Sequence, residues 1–533
     1  MKSGSSLTVL PYSIDHLKTF FAHVAGTTVE AVSEKTHRVF FEGYFQDPGV
    51  DAKTIVVEWE YVDHDYLEDF AAYYVRCFED YERKCARLHF FNISFSEEDF
   101  RSLLGGDETK MAVKQLQDGY LGFIVTKPLP HAFVGRTCLK TYTDDGGRRQ
   151  YMNVRTCEAT LFGIKLSVKS LAFQEQDQVV SACATSALWS ALHATSVLFQ
   201  HSLPSPVEIT RQAAEHSPVR SRVFPHTDGL QVEQMAFAIR RVGLEPLYVQ
   251  GDQPPDFVLT PRVLRSSVYA YSSLKIPVIL ITALFDPTGK HIGNHACTIT
   301  GFSLPSGAGA TGHETRLLSD RIDKLYVHDD QVGPFARMVL VDGAVPFHLT
   351  TSWGLPRMPG VKAVPFSLLI PLYNKIRIPF SNVLKLITGL DKGLSSFRGI
   401  QGNPLKLDQE QPVWDVRLTS INEFKNSLSA APHLTADQQR ALRLLDLPRF
   451  MWRATASTSK GVQIDVLIDA TDIDHGRFVR AFFVAETPLR QMLAGFQSTP
   501  NGALLSSGLQ PEVLQILYDL LVFLRKLHTP LAP

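Results

Sequence analysis

Cys183-Ala184-Thr185-Ser186-Ala187-Leu188-Trp189-Ser190-Ala191-Leu192 is the stretch that decides the fold of this chain. Residues 184, 187, 188, 191 and 192 are apolar and follow the i, i+3, i+4, i+7, i+8 spacing of a helix with one buried face. That spacing puts Cys183 in the first turn, where backbone N–H groups and the helix dipole favour negative charge. The thiolate is the nucleophilic form of cysteine, so this position suits a reactive thiol. The competing reading is a buried structural cysteine that packs as a small hydrophobe.

A thiol nucleophile needs a base within hydrogen-bond reach, a third group to orient the base, and donors for the developing oxyanion. Downstream, Gly293-Asn294-His295-Ala296-Cys297-Thr298-Ile299-Thr300 has strand character, with His295, Cys297 and Ile299 on one face. His295 is the candidate base; otherwise it is a histidine satisfied at a strand end. His291 stands four residues earlier, a spacing that brings two imidazoles together only on a helix. Gly289 and Gly293 oppose a helix there, and no metal or other cofactor is expected.

Asp329 follows the apolar run Lys324-Leu325-Tyr326-Val327-His328 and suits an acceptor for the imidazole N–H. Asp330 competes for that role, because adjacent strand residues face opposite ways, and either aspartate also suits a turn that caps the strand. Gln176 and Gln178 precede Cys183 by seven and five residues, and one of the two is the candidate oxyanion donor.

The chain has 533 residues, too many for one hydrophobic core, which implies several domains. With 53 basic against 54 acidic residues and no basic cluster, nucleic acid is not expected as a partner. No uninterrupted apolar run reaches the roughly 18 residues that cross a bilayer, so no membrane partner is expected. Six cysteines without C-x-x-C spacing form neither a zinc set nor a disulfide scaffold. A reducing, cytoplasmic setting follows as the expectation.

Four regions are expected: an N-terminal α/β accessory domain (1–117), a β-rich lead-in (118–165), the domain holding Cys183, His295 and Asp329 (166–385), and a C-terminal α/β domain (386–533). Within them, Leu67 to Tyr81 carry a helical stripe, and Arg87–Ile93 is a strand candidate. Ser96 before three acidic residues suits a helix cap. Asp144-Asp145-Gly146-Gly147 signals a hairpin between two strands. The run after Gly229 suggests a second helix, and Leu304–Gly312 a flexible insertion that is a candidate lid. Leu514, Leu517, Leu520, Leu521 and Leu524 suggest an amphipathic terminal helix.

Taken together, residues 170–345 resemble the papain-like cysteine peptidase superfamily, in particular its bacteriocin-leader-processing branch. The shared order is glutamine, cysteine at a helix start, an intervening helix, histidine opening a strand, and aspartate closing the next. Two departures stand out: Asp-Asp-Gln replaces the branch's Asp-Pro turn, and alanine rather than glycine follows Cys183. The resemblance implies an α+β fold with a helix packed on an antiparallel sheet. It also implies a cysteine peptidase acting on a protein or peptide substrate through Cys183, His295 and Asp329. Thiol-dependent acyl transfer, deamidation, and an inactive scaffold remain the alternatives; the oligomeric state is open.

Overall fold

A computed structural model describes residues 6–485 apart from 178, 216–223, 225–228, 252–257, 308–314, 354–357, 399–407 and 473–478, with residues 487 and 490 also described. The terminal leucine-rich segment, Gln178 and most of the candidate lid lie outside the described residues. The protein is a mixed helix and strand structure whose sheets are mainly antiparallel. It divides into two compact units: residues 1–261, 275–304 and 323–372 form the first, and the remainder the second.

Among the described residues the first unit contains two large sheets and the two-stranded hairpin Arg155–Leu161/Ile164–Ser170. Strands Leu7–Pro11, Thr54–Tyr61, Cys85–Phe91, Tyr120–Thr126 and Val134–Leu139 pair antiparallel in chain order. Every residue of Cys85–Phe91 and Tyr120–Thr126 is buried, because both faces of this sheet are covered. One face meets Leu17, Phe20, Phe41 and Phe45 from the N-terminal helices. The other meets Tyr66, Phe100 and the hairpin Arg155–Leu161/Ile164–Ser170. Arg87 and His89, the polar residues of Cys85–Phe91, are accommodated beside Glu58, at 2.7 and 3.6 Å.

The second sheet closes on itself. Val278–Phe285, His291–Ser303, Lys324–Asp329, Gly333–Val341, His348–Thr350 and Lys362–Tyr373 pair in that order, and the last pairs back to the first. Leu244–Gln250 adds to its last strand, and Arg149–Gln150 pairs with the His291–Ser303 strand. Closure removes the unpaired edges that an open sheet would expose. Helix Cys183–Phe199 packs on this sheet: the Thr298 hydroxyl donates to the Ala187 carbonyl at 2.6 Å.

Two local expectations are corrected. The stripe from Leu67 to Tyr81 is not one helix. An α-helix spans His64–Ala72, Tyr73 leaves helical geometry at φ −135°, and a single 3₁₀ turn, Tyr74–Arg76, follows. The aromatic and β-branched run Tyr73-Tyr74-Val75 holds a helix weakly. Tyr74 is used instead in a cluster with Tyr66, Tyr73 and Tyr81. Asp144–Gly147 is a real turn, since the Asp144 carboxylate accepts from Gly147 N–H at 2.9 Å. Its flanking strands do not pair with each other, however; Val134–Leu139 and Arg149–Gln150 belong to different sheets.

In the second unit, Val413–Ser420, Phe450–Thr458, Gly461–Asp469 and Val479–Val484 form an antiparallel sheet, with Arg316–Leu317 parallel to its first strand. Trp414 and Trp452 are buried in it, and Trp414 Nε1 donates to Asp391 at 2.8 Å.

Candidate active site

Cys183 is the first residue of helix Cys183–Phe199. The preceding Ala182 is extended, and no side chain caps the helix there. Among the described residues no side chain accepts from the first-turn N–H groups, at the sulfur's own end of the helix. The helix is buried around its whole circumference from Ala184 to Thr195, beyond the one-sided stripe expected from sequence. Its polar residues are accommodated by hydrogen bonds: Ser190 Oγ donates to Ala172 O at 2.9 Å, and Thr185 and Thr210 hydroxyls pair at 3.1 Å. Cys183 itself remains half-buried.

Asp177 shapes the approach to the helix. Its Oδ1 accepts from the N–H groups of Val179, Val180 and Ser181 at 3.0, 2.6 and 2.7 Å, and Oδ2 accepts from Tyr74 Oη–H at 2.9 Å. This turn separates Gln176, which is half-buried, from Cys183. Gln174, in the same segment, is buried and its Nε2 has no acceptor among the described residues.

His295 lies on the His291–Ser303 strand, whose neighbour Lys324–Asp329 carries Asp329 at its end. His295 Nε2 is 3.0 Å from Asp329 Oδ1 and 3.8 Å from Asp330 Oδ1. The hydrogen bond therefore goes to Asp329. Cys183 is near enough to His295 to contribute to its protonation balance. Burial pulls the His295 pKa down, but the charge and hydrogen bond of Asp329, the Cys183 contact and Asp330 outweigh it and hold it well above the ordinary value. Burial would raise Asp329, yet His295 and the Gln331 N–H keep its carboxyl below the usual range.

The two aspartates behave differently. Asp330 is pushed up to about 7, chiefly by burial and by the neighbouring Asp329 charge, against the opposing pull of His295. Two adjacent buried carboxylates cannot both ionise cheaply, so one holds the charge and the other resists it. His295, Asp329 and Asp330 also offer donor atoms that all lie within 4.8 Å of one another, a set able to hold a cation. In that arrangement the cation would compete with the imidazole proton for Asp329.

Sequence reasoning missed the groups behind and beside this trio. His37 opens the helix Thr36–Phe45, and its Nε2–H donates to the Asp330 carbonyl at 2.9 Å. Glu175 lies 4.0 Å from His37 Nδ1, forms an ion pair with Lys35 and accepts from Val134 N–H at 3.2 Å. Trp353 faces the imidazole, with ring centroids 6.4 Å apart. His37 and Trp353 carry no local motif, and only the fold brings them to the site.

No protein-family profile matches the sequence, and no curated protein matches it.

Proposed function

We propose that the protein is a papain-like cysteine peptidase, hydrolysing a peptide or isopeptide bond through Cys183, His295 and Asp329. The observation that carries this reading is the buried imidazole held by Asp329, with Cys183 beside it at a helix start. With Nε2 committed to Asp329, Nδ1 is the nitrogen left for the sulfur. The packing of helix Cys183–Phe199 on an antiparallel sheet agrees with the fold that the resemblance implies.

In this scheme Cys183 Sγ attacks the substrate carbonyl carbon, and the carbonyl electrons move to oxygen. The Cys183 backbone N–H and the side chain of Gln176 or Gln178 stabilise that oxyanion. The His295 imidazolium gives its proton to the leaving amine as the C–N bond breaks, leaving a thioester. Water then attacks the thioester while His295 accepts its proton, and the acid departs as the proton returns to sulfur. Asp329 keeps the ring oriented throughout.

The test is incubation of the purified chain with a diverse peptide mixture, followed by mass spectrometry of new termini. Cleavage by the wild type and none by Cys183→Ala supports the reading. Acyl transfer to an added amine without hydrolysis, or loss of ammonia from glutamine, assigns the thiol to transfer or deamidation. No covalent chemistry at Cys183 with any acyl substrate leaves a scaffold role.

A further inference from the structure

A second cavity, of about 640 Å³, lies between the first sheet and the hairpin Arg155–Leu161/Ile164–Ser170. Its size falls in the range of small-ligand sites. Three arginines line it: Arg87, Arg136 and Arg155. Arg87 is committed, pairing with Glu58 at 2.7 Å and donating to Thr160 O at 2.6 Å. Arg136 uses Nη2 on Asp63 at 2.9 Å and on the Tyr61 hydroxyl at 3.0 Å.

Arg155 is different. Among the described residues it has no carboxylate partner, and its Nη2 donates instead to His193 Nδ1 at 2.5 Å. That bond makes Nδ1 the acceptor, so the neutral ring carries its hydrogen on Nε2. His193 is 3% exposed, and its Nε2 has no acceptor among the described residues. Arg136 Nε and Arg155 Nε are likewise buried without acceptors. Three N–H donors from three lining side chains thus lack partners, and none of these groups can accept. Buried donors left in this state are costly unless something satisfies them.

We propose that this cavity binds the oxyanion group of a small ligand, a phosphate or a carboxylate, with Arg155 as its main counter-charge. The guanidinium fork suits either group. Glu58 is already neutralised by Arg87, and Glu158, which also lines the cavity, is exposed. The site is separate from the thiol: His193 follows Cys183 by ten residues on one helix, about 15 Å at the helical rise.

The experiment is isothermal titration of the full chain with inorganic phosphate and, separately, with citrate, at low ionic strength. The expected result is binding of one probe with a Kd of about 1 mM or tighter. Arg155→Met weakens it at least tenfold, Arg155→Lys by less, and Arg101→Met, on an exposed helix, leaves it unchanged. Phosphate binding alone assigns a phosphate ligand, and citrate binding alone a carboxylate. Absence of binding by both, or equal affinity in Arg155→Met, overturns the proposal. Should Arg155→Met fail to fold, amide exchange over 155–160 in the wild type decides: protection on adding the probe supports the site, and unchanged exchange removes it.

Discussion

His295 Nε2 and Asp329 Oδ1 are 3.0 Å apart, and both side chains are buried. Asp330, one residue on, is 3.8 Å from the same nitrogen and is oriented instead by the Gln331 side chain at 3.0 Å. A single residue step along the chain therefore separates the carboxylate that orients the imidazole from one that resists ionisation. The adjacent pair offers a direct way to test the site.

Asp329→Asn removes the charge while keeping the shape and one acceptor oxygen. Alkylation of Cys183 by iodoacetamide is expected to slow at least tenfold, and turnover to fall by up to about 10⁴, as when an orienting carboxylate is lost from a triad. Asp330→Asn is expected to change the alkylation rate less than threefold at pH 6, where the native carboxyl is already largely protonated. Second-order rate constants for the two variants, measured side by side, check this. Equal losses would remove the distinction.

Asp330 also sets a pH dependence of stability. Its folded pKa is raised, so the stabilisation it gives is present below the unfolded value near 4 and is lost as the pH rises through about 7. Asp330→Asn cannot ionise and escapes that loss. The Tm difference, variant minus wild type, should be more positive at pH 8 than at pH 5. A difference independent of pH would show that Asp330 is not the titrating group.

His295 and Asp329 set limits at opposite ends of the pH range. The raised His295 contributes stability that is present below about 6.5 and lost as pH climbs through its folded value. The lowered Asp329 contributes stability present above about 3.9 and lost as pH falls through its own. Nitrogen chemical shifts of labelled histidine should show His295 still cationic at pH 7.5, with Asp329→Asn restoring titration nearer the ordinary value. A neutral His295 at pH 7 in the wild type would contradict the pairing.

Gln176 separates oxyanion stabilisation from thiol activation. Gln176→Ala is expected to lower kcat/KM by about 10²–10³, the loss typical of one oxyanion donor, while alkylation of Cys183 changes little. If Gln178→Ala or Gln174→Ala produces this split and Gln176→Ala does not, the donor is that other amide.

A chelator tests the cation-binding geometry of His295, Asp329 and Asp330. EDTA is expected to leave Cys183 alkylation and peptide cleavage within twofold of untreated protein. Loss on chelation, restored by a divalent cation, would assign these three donors to a metal.

Much of the site was legible because its chemistry sits at element boundaries that leave local marks. The spacing after Cys183 announces a helix start, and the apolar run before Asp329 announces a strand end. Choosing between Asp329 and Asp330 required the register of Lys324–Asp329 against His291–Ser303, which shifts between Ile299 and Gly301. His37 was invisible for a different reason. It acts through a backbone carbonyl 293 residues away, and no local pattern encodes such a contact. The helix expected over Leu67–Tyr81 ended early because aromatic packing around Tyr74 overrode the periodic stripe. Closure of the second sheet was not legible either, since it depends on the pairing of Val278–Phe285 with Lys362–Tyr373, far apart in sequence.

The most direct test of the central claim is site-resolved alkylation of the native chain with iodoacetamide, read at each cysteine by mass spectrometry in wild type and His295→Ala. Cys77 is half-buried like Cys183 and serves as the internal reference for exposure. Cys157, held down to about 7 mainly by the Cys138 hydrogen bond and Arg155, is the internal reference for acidity, though it is buried. The account predicts that Cys183 reacts at least tenfold faster than Cys77 at pH 6.5 and that His295→Ala abolishes the difference. Equal rates at Cys183 and Cys77, or a fast Cys183 unaffected by His295→Ala, would contradict it.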